Sequence, residues 1–442
     1  MVVKRLSRED AEKCGRSRRE HLSRSSVGKF DARVRPVGPL AIIAEASRGR
    51  LPELLPIKFN LMAGSLFAFY RGTAEIMAAD LAAAKNTKIE VQLCGDAHIR
   101  NFGFFSTPDA QVIFDINDFD ETFRGPWEWD VKRLATSIVL GGREAGESNS
   151  RCKAAVEVFL EEYCGWIHRF SSMSTLEIAR HRAHRDLRQP VLRDALIKAQ
   201  RASPAESLAK LARKTRQGWC FRPIPKRLWE VNDRERKLVL AALPAYRETL
   251  APDHRMIFDR FRAVDVGFKV VGTGSIGTRD YVVLFFGRDE SDSLFLQIKE
   301  ERPSIYSRYL QTPAPTHQGQ RVVEGQRALQ IQSDVLLGWC SIEGRDYLVR
   351  QLNDHKASLE VEDLGGKRLM EYGKLCAELL AKGHARSGEP VVIASYLGPS
   401  RKAADSLLGF AVAYARQAEA DFEIFRKAWR SGALKRLLQE QS

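Results

Sequence analysis

The chain has 442 residues, 44% of them hydrophobic and 29% charged, enough to bury a sizeable core in two packed lobes and too apolar for a disordered chain. No apolar run approaches the roughly 18 residues a membrane helix needs, and the seven cysteines are scattered without a Cys-x-x-Cys pair, which excludes membrane helices, a zinc site and a disulfide framework. A formal net charge of +14, densest before Arg35 and from 169 to 227, favours anionic partners such as nucleotides, phosphorylated metabolites or nucleic acid, although solvated helix faces account for much of it.

Residues 1–40 read as a basic arm with little regular structure, and they lack the apolar stretch of a secretory signal, so a cytoplasmic location is expected. From 40 to 87 good helix formers and spaced apolar residues predict helices. The next stretch changes character: "IEVQL", "FGFF" and "QVIFDI" are short β-like runs separated by polar turns, which places Asp96 to Asn101 on a loop after a strand. Helices are predicted again from 127 to 215, then a linker with Pro223 and Pro225, then further helix to about Phe261. Residues 264–300 read as three strands with turns at "GTGSIG" and "GRDESDS". A helix around "QRVVEGQRALQ", a hairpin "LLGWCSIEGRDYLVRQL" and helices after 365 complete the chain.

Two groups of residues carry chemistry. The first is "GDAHIRN", with Asp96, His98 and Asn101, followed by Asp115, Asp118 and Asp120 in "FDINDFDE". Phosphoryl transfer needs a carboxylate to orient the attacking hydroxyl, and an amide oxygen with a second carboxylate to hold magnesium at the phosphates. The second is Gly272, Gly274, Ser275 and Gly277 in "VVGTGSIGTRDYVVLFF". A dinucleotide fold would open a helix after Gly277, but β-branched and aromatic residues follow, so the loop joins two strands in the manner of a kinase Gly-rich loop and the sequence speaks against an oxidoreductase. The next strand ends at Lys299, and Glu324 on the following helix is the carboxylate expected to hold it. His181 and His184 are spaced for a metal pair but lack a third ligand nearby, and read as part of a basic helix face. Arg71 in "FYRGT" either reaches a phosphate or pairs with a core carboxylate.

The run Gly95, Asp96, His98, Asn101 resembles the catalytic loop of the aminoglycoside and choline kinase branch of the protein-kinase-like superfamily, whose pattern is HGDxHxxN; the first histidine is Cys94 here. The resemblance implies Asp96 as catalytic base and Asn101 as a metal ligand. In those kinases a metal-binding aspartate follows, and another begins the next helix. The spacing of Asp118 and Asp130 fits, which implies Asp118 as metal ligand with Asp115 and Asp120 as alternatives. Lys299 falls where that fold has its phosphate-binding lysine, and "RQLNDHK", 350–356, follows the strand beside which adenine binds. The segment "CAELLAKGHARSG", 376–388, resembles the helix that leads into the catalytic loop in those kinases. Here it comes near the end of the chain.

A circular permutation reconciles this order. The expected fold is therefore α+β, two-lobed and protein-kinase-like, with a mostly helical lobe and a small antiparallel β-sheet lobe: a basic arm over 1–40, a helical lobe with catalytic loop and metal strand over 41–262, the sheet lobe over 263–355, and closing helices over 356–442. Along nearly its whole length, in stretches such as "FYRGTAEIMAADLA", "GPWEWDVKRLATS", "GQRVVEGQRALQ" and "YARQAEADFEIF", the chain also resembles a bacterial family named domain of unknown function 2252. That resemblance implies no substrate. The expected activity is ATP- and magnesium-dependent phosphoryl transfer to a hydroxyl, a small-molecule acceptor slightly favoured over a protein. The alternatives are AMP transfer by the same site, and an idle nucleotide-binding or scaffold protein whose basic surface holds nucleic acid.

Overall fold

The computed structural model describes residues 6–107, 111–182, 191–201, 204–270, 274–352 and 357–439. Between residues 90 and 126 the chain lays down four short strands, β1 (Glu90–Leu93), β2 (Phe102–Ser106), β3 (Val112–Ile116) and β4 (Phe123–Pro126), at the β-like runs expected. β1 pairs antiparallel with β4, and β2 with β3, so the segments carrying Asp96 and Asp118 leave neighbouring strand ends. Packed on them is a helix, Trp127–Glu144, buried along most of its length. Its Glu128 accepts bonds from the Thr87 backbone N–H (2.6 Å) and hydroxyl (2.7 Å), which satisfies a carboxylate that burial would otherwise penalise. Helices Asn149–Ser172, Lys367–Ser387 and Lys402–Arg430 surround it and share one large apolar core.

The second lobe is built on a sheet. After a small hairpin, β5 (Ala212–Thr215) and β6 (Gly218–Phe221), come β7 (Leu228–Glu230), β8 (Arg262–Lys269), β9 (Asp280–Phe286), β10 (Ser293–Glu300), β11 (Gly338–Ile342) and β12 (Arg345–Gln351). A final short strand, β13 (Ala357–Ser358), returns to pair with β2. The sheet is antiparallel and six-stranded, in the order β11-β12-β10-β9-β8-β7. Period-two alternation sorts its side chains: Val283, Phe285, Leu296 and Ile298 pack under helices between 233 and 258, while Val282, Leu284 and Phe295 pack with Phe221 and Leu228. Lys299 and Gln297 share the face of Phe295, and Lys299 lies between Asp280 of β9 and Leu348 of β12.

The helix Gln318–Leu329 joins the two lobes. Its Gly325 approaches Thr122 so closely that a Cβ there would lie 2.4 Å from the threonine side chain. Arg321, one turn earlier, is buried and donates to the carbonyls of Thr122 (2.7 Å) and Asp120 (2.9 Å).

Two expectations are corrected. Residues 8–21 are not irregular but form a helix, Arg8–His21, capped by the Ser7 hydroxyl on the Asp10 N–H (3.1 Å). It packs on Pro390–Leu397 through Ala11 and Gly15, small residues that give little apolar periodicity to read. The region before 215, expected helical, ends in strand β5, whose hairpin covers one sheet face. No helix among the described residues is long and apolar enough to cross a membrane.

Candidate active site

The loop after β1 is held from below. Asp130, in the first turn of the Trp127–Glu144 helix, accepts hydrogen bonds from the backbone N–H groups of Cys94 (2.8 Å) and Gly95 (3.1 Å). His384 stands 3.3 Å from the same carboxylate and pairs through its other ring nitrogen with the Tyr163 hydroxyl at 2.7 Å. Gly95 has φ of +96°, and a Cβ there would sit 2.1 Å from the Glu121 carbonyl oxygen, so only glycine fits. The Tyr306 hydroxyl donates to the Gly95 carbonyl. A backbone tied at so many points fixes the direction of the next side chain, Asp96.

Asp96 Oδ1 accepts from Arg133 Nε (2.8 Å), and the same guanidinium donates to the Tyr70 carbonyl (2.8 Å) and lies 3.8 Å over the Tyr70 ring. His98 Nδ1 accepts from the Arg100 N–H at 3.2 Å, which leaves the ring proton on Nε2, 3.6 Å from Asp96 Oδ2. Burial, with Arg71 and Arg133 nearby, holds His98 well below the ordinary imidazole value, so the ring is neutral. Asn101 Nδ2 donates to the Asp96 carbonyl (2.8 Å), which turns the amide oxygen away from the loop.

Across a crevice of about 450 Å³ stands the sheet lobe. Lys299 Nζ forms an ion pair with Asp120 and lies 4.0 Å from Glu301. Burial lowers the lysine pKa, but the carboxylates of Asp120 and Glu301 outweigh it and hold the ammonium above its ordinary value. The Ser275 hydroxyl, at the tip of the Gly-rich loop, donates to the same Asp120 oxygen at 2.9 Å. Asp96, Asn101, Asp118, Asp120, Gly274, Ser275 and Lys299 thus line one crevice. Gly277 has φ of +98° and its carbonyl accepts from the Leu51 N–H (2.7 Å), whereas Gly272 lies outside the described residues, as do His184 and 353–356 of the segment 350–356.

Two assignments are corrected. Glu324 does not hold Lys299: it is exposed on the outer face of its helix, where it accepts from Gln320 at 2.7 Å, because the helix turns Arg321 and Gly325 inward. Asp115 is no alternative metal ligand: it is buried in β3, paired with Lys382 away from the crevice. His181, also read as surface, is buried 3.1 Å from Glu378.

Among the described residues no three His, Cys, Asp or Glu side chains cluster as a ready metal site. That composition still suits magnesium, which takes one or two carboxylates, keeps its waters and completes its shell on substrate phosphates. Asp118 is pushed up to about 6 by burial and by Asp120, and Asp120, already paired with Lys299 through Oδ2, has its Oδ1 buried without a hydrogen-bond partner among the described residues. A cation between the two carboxylates would relieve both. Beside Lys299 the sheet surface is polar: Gln297 donates to Asp280 (2.7 Å) and accepts from Arg350 (3.0 Å). Burial moves Asp280 up to about 6 and Lys269 down to about 8.

A family model described as an uncharacterized protein conserved in bacteria (DUF2252) matches residues 50–428. The chain belongs to the DUF2252 family. Every residue of the crevice from Arg50 onward lies within the DUF2252 match, while the Arg8–His21 helix precedes it. No curated protein and no solved structure matches the chain. Three contributors to this DUF2252 site had no local signal in the sequence. Arg133 and Arg321 look like ordinary helix arginines until the fold turns them inward. The third is the pair Arg50, in a bend between helices, and Lys58, on the helix that follows, over two hundred residues before the glycine loop they touch: Arg50 donates to the Ile276 carbonyl (2.8 Å) and Lys58 to that of Gly274 (3.4 Å).

Proposed function

We propose that the protein transfers a phosphoryl group from ATP, with magnesium, to a hydroxyl of an acceptor, on a circularly permuted protein-kinase-like fold. The observation that carries the reading is the meeting of Lys299 and Ser275 with Asp120 across the crevice that Asp96 and Asp118 also line. The two groups of residues that phosphoryl transfer requires come from stretches well over a hundred residues apart to one cavity. Permutation is supported by the end of the Lys367–Ser387 helix: Ser387 Oγ accepts from the Gln92 N–H (3.1 Å), and Gly388 abuts Val91. That helix therefore ends against the strand that leads into the Asp96 loop.

In this mechanism Asp96 Oδ2 orients the acceptor hydroxyl and takes its proton as the new P–O bond forms and the bond to the departing ADP oxygen breaks. Arg133, by engaging only Oδ1, keeps the carboxylate from rotating. Lys299 exchanges Asp120 for phosphate oxygens, and the Gly274–Gly277 turn covers them. Asn101 and Asp118 would hold magnesium, which when bound neutralises charge on the phosphates. Catalysis then rests on positioning and electrostatics, without a covalent enzyme intermediate.

One observation favours AMP transfer as a second reading. The sheet surface beside Lys299 carries Lys269, Asp280, Gln297 and Arg350 where a base would want apolar contact, whereas Val37, Ala41, Ile42 and Ile305 supply apolar lining to the crevice. A nucleotide lying the other way round would present its α-phosphorus to an acceptor hydroxyl oriented by Asp96, with pyrophosphate as the leaving group.

Thermal shift separates nucleotide from nucleic-acid binding, since a ligand bound only by the folded state raises the melting temperature. ATP with magnesium is expected to raise it in the wild type and not in Lys299→Met. A shift with RNA or DNA and none with ATP would overturn the proposal.

A further inference from the structure

Arg50, Lys58 and Arg71 share the wall of the crevice contributed by residues 37–75, and none of them has a carboxylate partner among the described residues. Lys58 is only 3% exposed, yet among the described residues its ammonium has one hydrogen bond, the 3.4 Å contact with the Gly274 carbonyl. Arg50 spends its guanidinium on two carbonyls, Ala46 (3.2 Å) and Ile276 (2.8 Å). The Arg71 guanidinium makes no hydrogen bond to any described residue, its buried Nε included. Carboxylates stand nearby, Glu75 and Glu121 toward Arg50 and Lys58 and Asp96 toward Arg71, but among the described residues none closes an ion pair with the three. A buried cation costs several kcal/mol unless an anion meets it directly, so this wall is prepared for a ligand that brings the contacting charge. The strain registers in each group: burial and the neighbouring Arg50 push Lys58 down to about 7, burial and Arg302 lower Arg50 to about 10, and burial and Arg100 lower Arg71. Guanidinium forks with an ammonium match the oxygens of a phosphate group.

We propose that Arg50, Lys58 and Arg71 form a phosphate-binding subsite of the crevice, separate from Lys299, which receives a phosphate group of a substrate. Two sources share this chemistry: a phosphate carried by the acceptor itself, or the terminal phosphates of a nucleotide lying in the reversed direction. Arg71 adjoins Asp96 closely enough to feel its charge, so a phosphorylated acceptor held there would offer its hydroxyl to that carboxylate. This assignment of role rests on the transfer reading, but the subsite does not need turnover to be detected.

The test is calorimetric titration of the full chain with inorganic pyrophosphate at neutral pH and low salt. The wild type is expected to bind; Lys58→Met and Arg71→Met are each expected to weaken binding about tenfold or more, and Lys299→Met to retain it. No binding by the wild type, undiminished binding by Lys58→Met and Arg71→Met, or loss only in Lys299→Met would overturn the subsite. A second readout guards against a misfolded variant: removing a buried ammonium without a counter-ion should raise the melting temperature of the ligand-free protein, so a lower melting temperature in Lys58→Met would contradict the assignment. Titration with ATP and magnesium then distinguishes the sources, since parallel loss of ATP affinity in Lys58→Met places nucleotide phosphates on the wall and unchanged ATP affinity places the acceptor's there. Pyrophosphate binding without any ATP turnover would leave the subsite standing while the transfer proposal fell.

Discussion

Asp96 gives Oδ1 to Arg133 and turns Oδ2 toward the crevice, so its two oxygens have different work. Asp96→Asn keeps an oxygen for Arg133 but loses the proton acceptor. Transfer is expected to fall about a thousandfold, at a stability cost of about 1 to 3 kcal/mol, with nucleotide affinity nearly unchanged in steady-state kinetics and titration. Lys299 answers to Asp120, so Asp120→Asn should cost about 3 kcal/mol in denaturant melts, whereas exposed Glu324→Ala should change neither stability nor nucleotide affinity. The sequence nominated Asp96, Asn101, Asp118 and Lys299 because their types suit phosphoryl transfer and because the resemblance to the kinase pattern singled out their positions. It misplaced Glu324 because the order of elements says which helix follows a strand but not which face that helix turns inward. Lys58 carries a pH signature, in surroundings that include Arg50, Arg302, Glu75 and Glu121. Its pKa is about 7 in the fold against 10.5 ordinarily, so between those values the unfolded chain binds the proton that the folded chain releases and stability rises with pH. Lys58→Met should flatten that rise in melts taken across the same range.

At the scale of elements, the Gln318–Leu329 helix is a wedge between lobes, and Gly325 sets its depth. Thr122 cannot turn aside, because its hydroxyl donates to the Leu93 carbonyl and accepts from Gln92 Nε2 at 2.9 Å. Gly325→Ala should therefore push the helix off the turn carrying Asp120, lowering stability by about 1 to 3 kcal/mol and weakening nucleotide binding together, as read by calorimetric melting and titration. The strands of the sheet lobe and of the Asp96 region were legible because alternation, turns and β-branched runs coincide there. The Arg8–His21 helix and the β5-β6 hairpin were not. The first lies among charges and packs through Ala11 and Gly15, and the second follows directly on a helix, so its apolar residues do not stand out from the helical pattern.

For the whole molecule, the Gly-loop segment is almost two hundred residues from the Asp96 loop, yet the two share a crevice, and the helix ending at Ser387 abuts the strand that opens that loop. Sequence could nominate the parts and suggest a permuted order for them. The basic wall from Arg50, Lys58 and Arg71 required the fold, because no spacing rule joins residues 50, 58 and 71 to a loop at 274. Part of the basic charge of the chain thus lines the crevice instead of the outer surface. The most direct test of the phosphotransfer reading is incubation of the full chain with magnesium, ATP labelled at the γ-phosphate and a bacterial small-molecule extract, followed by separation of labelled products, in wild type and Asp96→Asn. The account predicts label on a hydroxyl-bearing product in the wild type, none in Asp96→Asn and none when magnesium is chelated. No transfer by the wild type, or equal transfer by Asp96→Asn, would contradict it.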